Sequence, residues 1–483
     1  MPLLPNLPGH RGRLSARGVA LASTTLIVGA LAPMAAGVPF TGPALAATSA
    51  NAAGCTSPAG AVSCSPKSLT PSLPVSTSKT FQVRQLAQCG SRMYAVGTFS
   101  QIIGRTSAGQ DVTYSRNNVF SFNAARPYAV NSWNPDVNGA VNSIAVGGTN
   151  CSTAYLGGSF TKVHGTTVHN LAAVSTSTGA VQTKFRGDAN NTVLTVLLHG
   201  GRLLTGGYFT NINGQNRRFY AGLSSSTGAP DSYLGLNISG NYQYSGVAQN
   251  GTRIANQQLS HDGTRLLVEG DFTSVGGKSR QQIFMLSLGK TKATVTGWTS
   301  TEFNAHCVIN EPFYVRAAAW GPTDAAVYVA DTGYHPYDGS IGATTRTGLC
   351  DATAKFPVTQ KAVTHEWVSY TGCDSLYSVA AGTNTVYVGG HERWADNKSD
   401  CDAAGPGAVS APGMAGLSEA SGLLDFNPTR SRGLGADDML LTSAGLWIAS
   451  DNLTGIDPDT HQPFTSDDCG GISGRAGICF LSK

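Results

Sequence analysis

Tyr155-Leu-Gly-Gly158-Ser-Phe160 is a short apolar run closed by two glycines and an aromatic residue, and the chain repeats it. Tyr94-Ala-Val-Gly97-Thr-Phe99 precedes it, and Leu204-Thr-Gly-Gly207-Tyr-Phe209 and Leu267-Val-Glu-Gly270-Asp-Phe272 follow. Weaker copies are Val327-Tyr-Val-Ala-Asp331, Val386-Tyr-Val-Gly-Gly390 and Leu446-Trp-Ile-Ala-Ser450. The second small position falls at residues 97, 158, 207, 270, 331, 390 and 450, at intervals of 61, 49, 63, 61, 59 and 60. So steady a period is the signature of a repeat architecture, in which each unit packs only on its neighbours.

Unit two shows what a copy contains. Val141-Asn-Ser-Ile-Ala-Val146 alternates and predicts a first strand, and Ala154 to Phe160 predicts a second. Asn170-Leu-Ala-Ala-Val-Ser175 predicts a third and Ala180-Val-Gln-Thr-Lys-Phe185 a fourth, with Thr178-Gly179 as the turn between them. Four antiparallel strands in each of seven units describe an all-β fold, a seven-bladed β-propeller whose radial closure removes exposed sheet edges. The paired glycines are expected where backbone crowds backbone at the inner strands. The Phe two residues later is expected to pack between blades.

The order Val-Gly-Gly-x-Phe, a turn, Leu-Ala-Ala-Val, then Thr-Gly and an aromatic-bearing fourth strand resembles the delta-60 repeat of secreted bacterial β-propellers. The resemblance covers about residues 81–460 and is sharp over the first four units. In the last three the Phe is lost and the following loop is rebuilt. That family is defined by its fold and has no single activity, so the resemblance implies a propeller and leaves the chemistry to individual residues.

The 483 residues include 59 Gly and 22 Pro but only 12% charged side chains, which suits short strands and tight turns. Arg11, Arg13 and Arg17 precede an apolar run from Val19 to Ala32, and Ala44-Leu45-Ala46 follows as a cleavage signal. Residues 1–46 therefore read as an export signal, too short in its apolar part for a stable membrane span. Removing it takes three of 32 basic residues and none of 28 acidic ones, leaving 29 against 28. No basic stripe is left to neutralise phosphates, which disfavours nucleic acid as a partner. The expected product is secreted, extracellular or associated with the cell wall, and monomeric. Residues 47–80 form an N-terminal segment and 81–483 the propeller. The seventh unit is short after Asp451, so a strand from Ser65 to Phe81 is the candidate for completing it.

All ten cysteines follow the cleavage signal, and an even count in an exported chain reads as disulfides. Cys373 precedes unit six in an inter-blade link and Cys401 lies in that unit's loop between second and third strands, as Cys307 precedes unit five and Cys350 follows its corresponding loop, which predicts two versions of one staple. Cys89 and Cys151 precede the second strands of adjacent units and should pair on the opposite face. Cys55–Cys64 and Cys469–Cys479 follow by elimination.

In a propeller the links between blades and the loops between second and third strands open on one face. Glu302 to Phe313, Thr332 to Thr345, Val363 to Cys373 and His391 to Gly407 are assigned to that face, over units five and six. They hold Tyr334, His335, Tyr337, Asp338, His365, Glu366, Trp367, His391, Glu392, Arg393 and Trp394 against a background of bland Ser, Thr and Gly. Aromatic faces beside carboxylates and Arg suit a sugar or a peptide. This predicts a binding or scaffold module for an extracellular glycan or protein partner. The alternatives are a glycoside hydrolase or lyase using Glu366, Glu392 and Asp338, which needs its carboxyls about 5–10 Å apart, and a purely structural envelope protein. The competing account makes Glu392 and Arg393 a loop ion pair and each Trp a cap on the blade stack. His335, His365 and His391 come from separate loops and are read as solvated rather than as a metal site. Asp271, Asp331 and Asp451 lie outside any calcium-loop pattern and are read as turn formers. No serine-nucleophile elbow, phosphate loop or βαβ frame is present, and no cofactor or metal is expected.

Overall fold

A computed structural model describes residues 55–75, 80–244, 247–248, 251–304, 307, 313–333, 349–401, 403–428, 435–452 and 476–483. The predicted leader, Cys469 and the segment from Tyr334 to Asp338 lie outside them. The described chain is all-β, its regular structure being strands and two short 3₁₀ turns.

Each repeat folds as an antiparallel sheet. The first is Gln82–Cys89, Arg92–Thr98 and Val119–Asn123; the second is Ala140–Gly147, Thr153–Ser159 and Leu171–Ser175. The third is Val193–His199, Arg202–Gly207 and Tyr220–Ser224. The next three open with Arg253–Leu259, Tyr314–Trp320 and Leu376–Ala381 and are four-stranded; the last is Asp438–Leu441, Gly445–Ala449 and Ile478–Ser482. The first strand of each sheet lies beside the first strand of the next, and that of the last sheet lies beside that of the first. Sheets stacked radially about their first strands are the arrangement of a β-propeller.

Hydrogen bonds sew these inner strands together. Ile144 N–H donates to Gln85 Oε1 (2.6 Å) and Val196 N–H to Ser143 Oγ (3.0 Å), while Val315 N–H reaches Gln282 Oε1 (3.2 Å), just ahead of the fourth sheet's third strand, Ile283–Leu288. Leu86 N–H donates to Asp438 Oδ2 (2.8 Å), joining the last sheet to the first. The apolar core is divided in the same way, into clusters that each lie between neighbouring sheets. Phe99, Phe160, Phe209 and Phe272 are all buried there, one to a cluster.

The second-strand glycine has a specific cause. Six first strands carry a β-bulge at one place, between Val83 and Gln85, Val141 and Ser143, Val193 and Thr195, Ile254 and Asn256, Val315 and Ala317, and Leu376 and Ser378. A bulge pushes one backbone segment toward the partner strand. A Cβ on Gly97, Gly158, Gly207, Gly270 or Gly390 would overlap the carbonyl oxygen of Gln82, Ala140, Thr192, Arg253 or Ser375 respectively. Glycine is therefore required by close approach.

The fourth strand differs from expectation in the first three units, where it shrinks to a single bridge: Phe122 with Val130, Val174 with Val181 and Leu223 with Pro230. Pro230 has no N–H to extend a ladder. After the first unit's bridge the link turns aside to bury Trp133, whose Nε1–H donates to Ser175 O in the next sheet (2.8 Å). The last sheet instead gains its outer neighbour from the N-terminal segment. Ser63 N–H donates to Ser482 O (2.7 Å), Lys67 N–H to Phe480 O (2.9 Å) and Leu73 N–H to Ala476 O (2.8 Å). Ser72 then pairs with Ile103 of the first repeat.

Four disulfides join Cys55 to Cys64, Cys89 to Cys151, Cys307 to Cys350 and Cys373 to Cys401. Cys479 is also disulfide-bonded.

Gly207→Ala should cost about 1–3 kcal/mol, the usual penalty for overpacking, read from the midpoint of urea unfolding; an unchanged midpoint would contradict the close approach. Deleting residues 63–73 should lower the unfolding midpoint of the whole β domain in one transition rather than fray one end. Hydrogen exchange would separate the two outcomes.

Candidate functional site

The structure divides the aromatic and charged cluster expected over units five and six. Lys355 pairs with Trp367 and Ala352 with Tyr370, so Trp367–Tyr370 runs as a fourth strand away from the turn that holds His365 and Glu366. His391 follows Thr385–Gly390, a second strand, and its N–H donates to Ser375 O (2.8 Å) at the start of the sixth sheet. The two groups thus sit at opposite ends of the strands. The expected single face for His365, Glu366, Trp367 and His391 to Trp394 is corrected accordingly. The loop assignment failed because Val363 to Glu366 belongs to a long turn between third and fourth strands, not to the link between sheets.

At the His365 end the charged groups are paired. His365 Nδ1 lies 2.6 Å from Glu302 Oε2. Lys355 Nζ bridges Glu366 (3.1 Å) and Glu419 (2.6 Å), which also accepts the Tyr328 hydroxyl (2.7 Å). This network holds Lys355 protonated: its hydrogen bonds and attraction to the two carboxylates outweigh the burial that opposes them. Trp367 is buried against Tyr328, and its Nε1–H donates to Glu419 O (2.8 Å). It caps the packing of two sheets, the competing account for the tryptophans.

At the other end, Cys373–Cys401 ties the link before sheet six to the loop after its second strand. Arg393 forks onto Asp374, Nε to Oδ2 at 2.8 Å and Nη2 to Oδ1 at 3.0 Å, with its own N–H on Oδ2 at 2.8 Å. Their side chains are only 10% and 3% exposed. Arg393 therefore pairs with Asp374 and not with its neighbour Glu392, which is wholly buried. Asn397, also buried, spans the loop by donating to Ala403 O (2.9 Å) and accepting from Gly405 N–H (3.1 Å). His391 and Trp394 are left partly accessible on this braced frame. Glu366 and Glu392, set at opposite strand ends, do not form an acid–base pair. His365 and His391 likewise do not converge. Tyr334, His335, Tyr337 and Asp338 lie outside the described residues.

A second constellation went unnoticed in the sequence. The bulged residue of each first strand is partly accessible although the residue before it is buried: Arg84, Asn142, Leu194, Ala255, Arg316 and Tyr377. Asp437 takes the same place in the last sheet, its N–H donating to Ala449 O (2.9 Å). These residues ring the axis at the strand starts, on the end that carries His391. Arg84 donates to Asn142 Oδ1 and to Gln82 Oε1 (3.2 Å). The Arg316 guanidinium lies 4.8 Å over the Tyr377 ring. A cavity of ≈ 200 Å³ between the first strands of the last four sheets has Tyr377 and Asp437 in its wall. The available signal was the broken alternation after each first aliphatic residue, which is too brief to notice without the strand pairing.

Several carboxyls are held out of water. Asp437 is pushed up to about 7, by burial first and then by Asp451, with Arg84 and Arg316 pulling the other way. Burial pushes Glu269 up to about 8; Asn256 and the Ala318 N–H are near enough to offset part of this, without a well-formed hydrogen bond. Asp271, Asp331 and Asp451 are fully buried, which corrects their reading as turn formers. They accept the N–H groups of Tyr242 (2.6 Å), Ala352 (3.3 Å) and Gly435 (3.2 Å). Burial and the nearby Asp351 raise Asp331 far above the usual carboxylate range.

No family model and no curated protein matches the sequence. Among solved structures the chain is similar to the WD40 β-propeller domain of Doa1, at 11% identity over 79% of this chain and 94% of that one, with a TM-score of 0.40. It is also similar to BamB from Moraxella catarrhalis, at 12% identity over 85% and 97%, with a TM-score of 0.35. The computationally designed Ika8 protein is similar at 8% identity over 85% and 98%, with a TM-score of 0.40.

Asp374→Ala strands a buried guanidinium and should cost about 3–5 kcal/mol in urea unfolding; a loss below 1 kcal/mol would mean that the fork does not brace the loop. Glu269 is raised in the folded state, so its contribution is fully present below its unfolded value and is lost as pH rises through about 8. Melting temperatures from pH 5 to 9 should therefore show Glu269→Gln gaining on the parent as pH rises, with the gap levelling off above about 8.

Proposed function

We propose that this chain is a secreted seven-bladed propeller that acts as a binding module for an extracellular glycan or protein partner. The seventh blade is completed by the N-terminal segment, and the ligand face is the one holding the strand starts. The observation that carries the reading is the bracing of that face. The Cys373–Cys401 disulfide, the Arg393–Asp374 fork and Asn397 hold the loop after Gly390, which would otherwise cost ordering entropy when a partner docks. His391 and Trp394 stay partly accessible on that frame, and an aromatic side chain held rigid is an economical contact for a sugar or a peptide.

Export is supported by the leader-like residues 1–46 and by the disulfides, which persist in oxidising compartments. Among the described residues no helix is long and apolar enough to cross a membrane. The delta-60 resemblance supports the repeat assignment for the first four blades.

Trp394→Ala, on a glycan array and in pull-down from culture fluid, should reduce retention of the parent's ligand at least tenfold while leaving the melting temperature within about 2 °C. Unchanged retention would remove this face from the binding role. No retention by the parent itself would favour a purely structural envelope protein.

A further inference from the structure

We propose that the axial mouth of the propeller, at Arg316 and Tyr377, is a binding site for the carboxylate of an acidic sugar. The proposal goes beyond the braced loops and stands whether or not they hold a partner.

The geometry of Arg316 is the starting point. It is the bulged residue of the fifth sheet's first strand, so the break in pairing between Val315 and Ala317 releases its side chain from the sheet–sheet interface. It is partly accessible, although Val315 before it and Ala317 after it are buried. The Tyr377 ring, from the equivalent bulge of the sixth sheet, lies 4.8 Å from the guanidinium carbon. Such a contact fixes the plane of a guanidinium while leaving its N–H edge unused. Among the described residues no acceptor takes a hydrogen bond from Arg316, and no carboxylate lies within ion-pair distance of it.

The other arginines near the inner strands are spent on the fold. Arg84 is tied to Gln82 and Asn142. Arg253, nearly buried, faces Asp271 Oδ2 at 3.6 Å and packs between Tyr208 and Tyr314. Arg316 is the exception: a planar five-donor group, oriented on Tyr377 and making no hydrogen bond among the described residues, although its charge acts on the nearby Asp437. A planar pair of oxygens matches that edge, which favours a carboxylate over a tetrahedral anion. Near the axis Tyr377 and Asp437 supply further polar atoms at the same level. Hydroxyl groups, which both donate and accept, suit such a mixed rim. A cavity of ≈ 200 Å³ begins at Tyr377 and Asp437 and runs along the inner strands to His261, Trp320 and Leu441; Arg316 stands outside its wall, so a sugar held by its carboxylate at Arg316 would sit at the entrance to this cavity.

The test uses the exported full-length chain and isothermal titration with D-galacturonate, D-galactose and inorganic phosphate. The parent should bind galacturonate at least tenfold more tightly than either of the others. Arg316→Ala should abolish that preference with an unchanged melting temperature. Arg316→Lys, which keeps the charge and loses the fork, should lose at least fivefold, and Tyr377→Ala should weaken binding by a similar factor. Arg218→Ala, in the connection before the third repeat's strand Tyr220–Ser224, controls for loss of charge alone and should bind as the parent does. Equal binding of phosphate would replace the acidic sugar by a generic anion and overturn the proposal. So would galacturonate binding that survives Arg316→Ala, or a parent that binds none of the three.

Discussion

A carbonyl oxygen pressed against a glycine underlies most of this molecule. At the same point of five repeats the first strand bulges, and its backbone comes so close to the second strand that only hydrogen fits on the opposing Cα. The bulge resets the pleat, so one side chain per sheet leaves the packed interface and turns to the axis. The fifth repeat departs from the rule by placing Asp331 opposite Val315, and burial pushes that carboxyl far above the usual carboxylate range. One backbone contact thus sets both the register of the sheets and the composition of the axial mouth.

Packing follows from the same geometry. Each sheet covers both its faces with its neighbours, so the core is a series of seams rather than a centre. No sheet is satisfied until the next is in place. That dependence explains why the last sheet is flanked by residues 63–73 of the N-terminal segment. It also explains the Asp438 carboxylate at that seam, where other seams use Gln or Ser to receive the neighbouring N–H.

Much of the polar chemistry that stood out in the sequence is absorbed by this architecture. Trp367 closes the gap between two sheets, Arg393 clamps Asp374, and His365 rests on Glu302. Rarity against a bland background identified these residues correctly as special, yet most of them serve to hold loops in place. Arg316 shows the converse. Nothing in its local sequence separates it from other arginines, but the fold leaves its donors unspent at the axis.

The repeat, the order of its first three strands, the crowding glycines and the inter-sheet Phe were legible in the residues because they recur at fixed spacing, and three cysteine pairings (Cys89–Cys151, Cys307–Cys350 and Cys373–Cys401) because of their places in the repeat. Periodicity reports local geometry, and local geometry is the same in each copy. Which loops share a face was legible only where the strands are regular. The long turn before Trp367 hid the direction of the fourth strand, and so His365 and Glu366 were placed at the wrong end. The partners of Arg393, the burial of Glu269 and Asp331 and the ring around Arg316 were set by tertiary structure alone. Arg316 and Tyr377 come from equivalent strands of neighbouring repeats, whereas Arg393 meets Asp374, 19 positions away, across a loop that only the folded sheets position. Hydrogen-bond pairing and desolvation act through space, and the sequence records them only after the sheets have closed on one another.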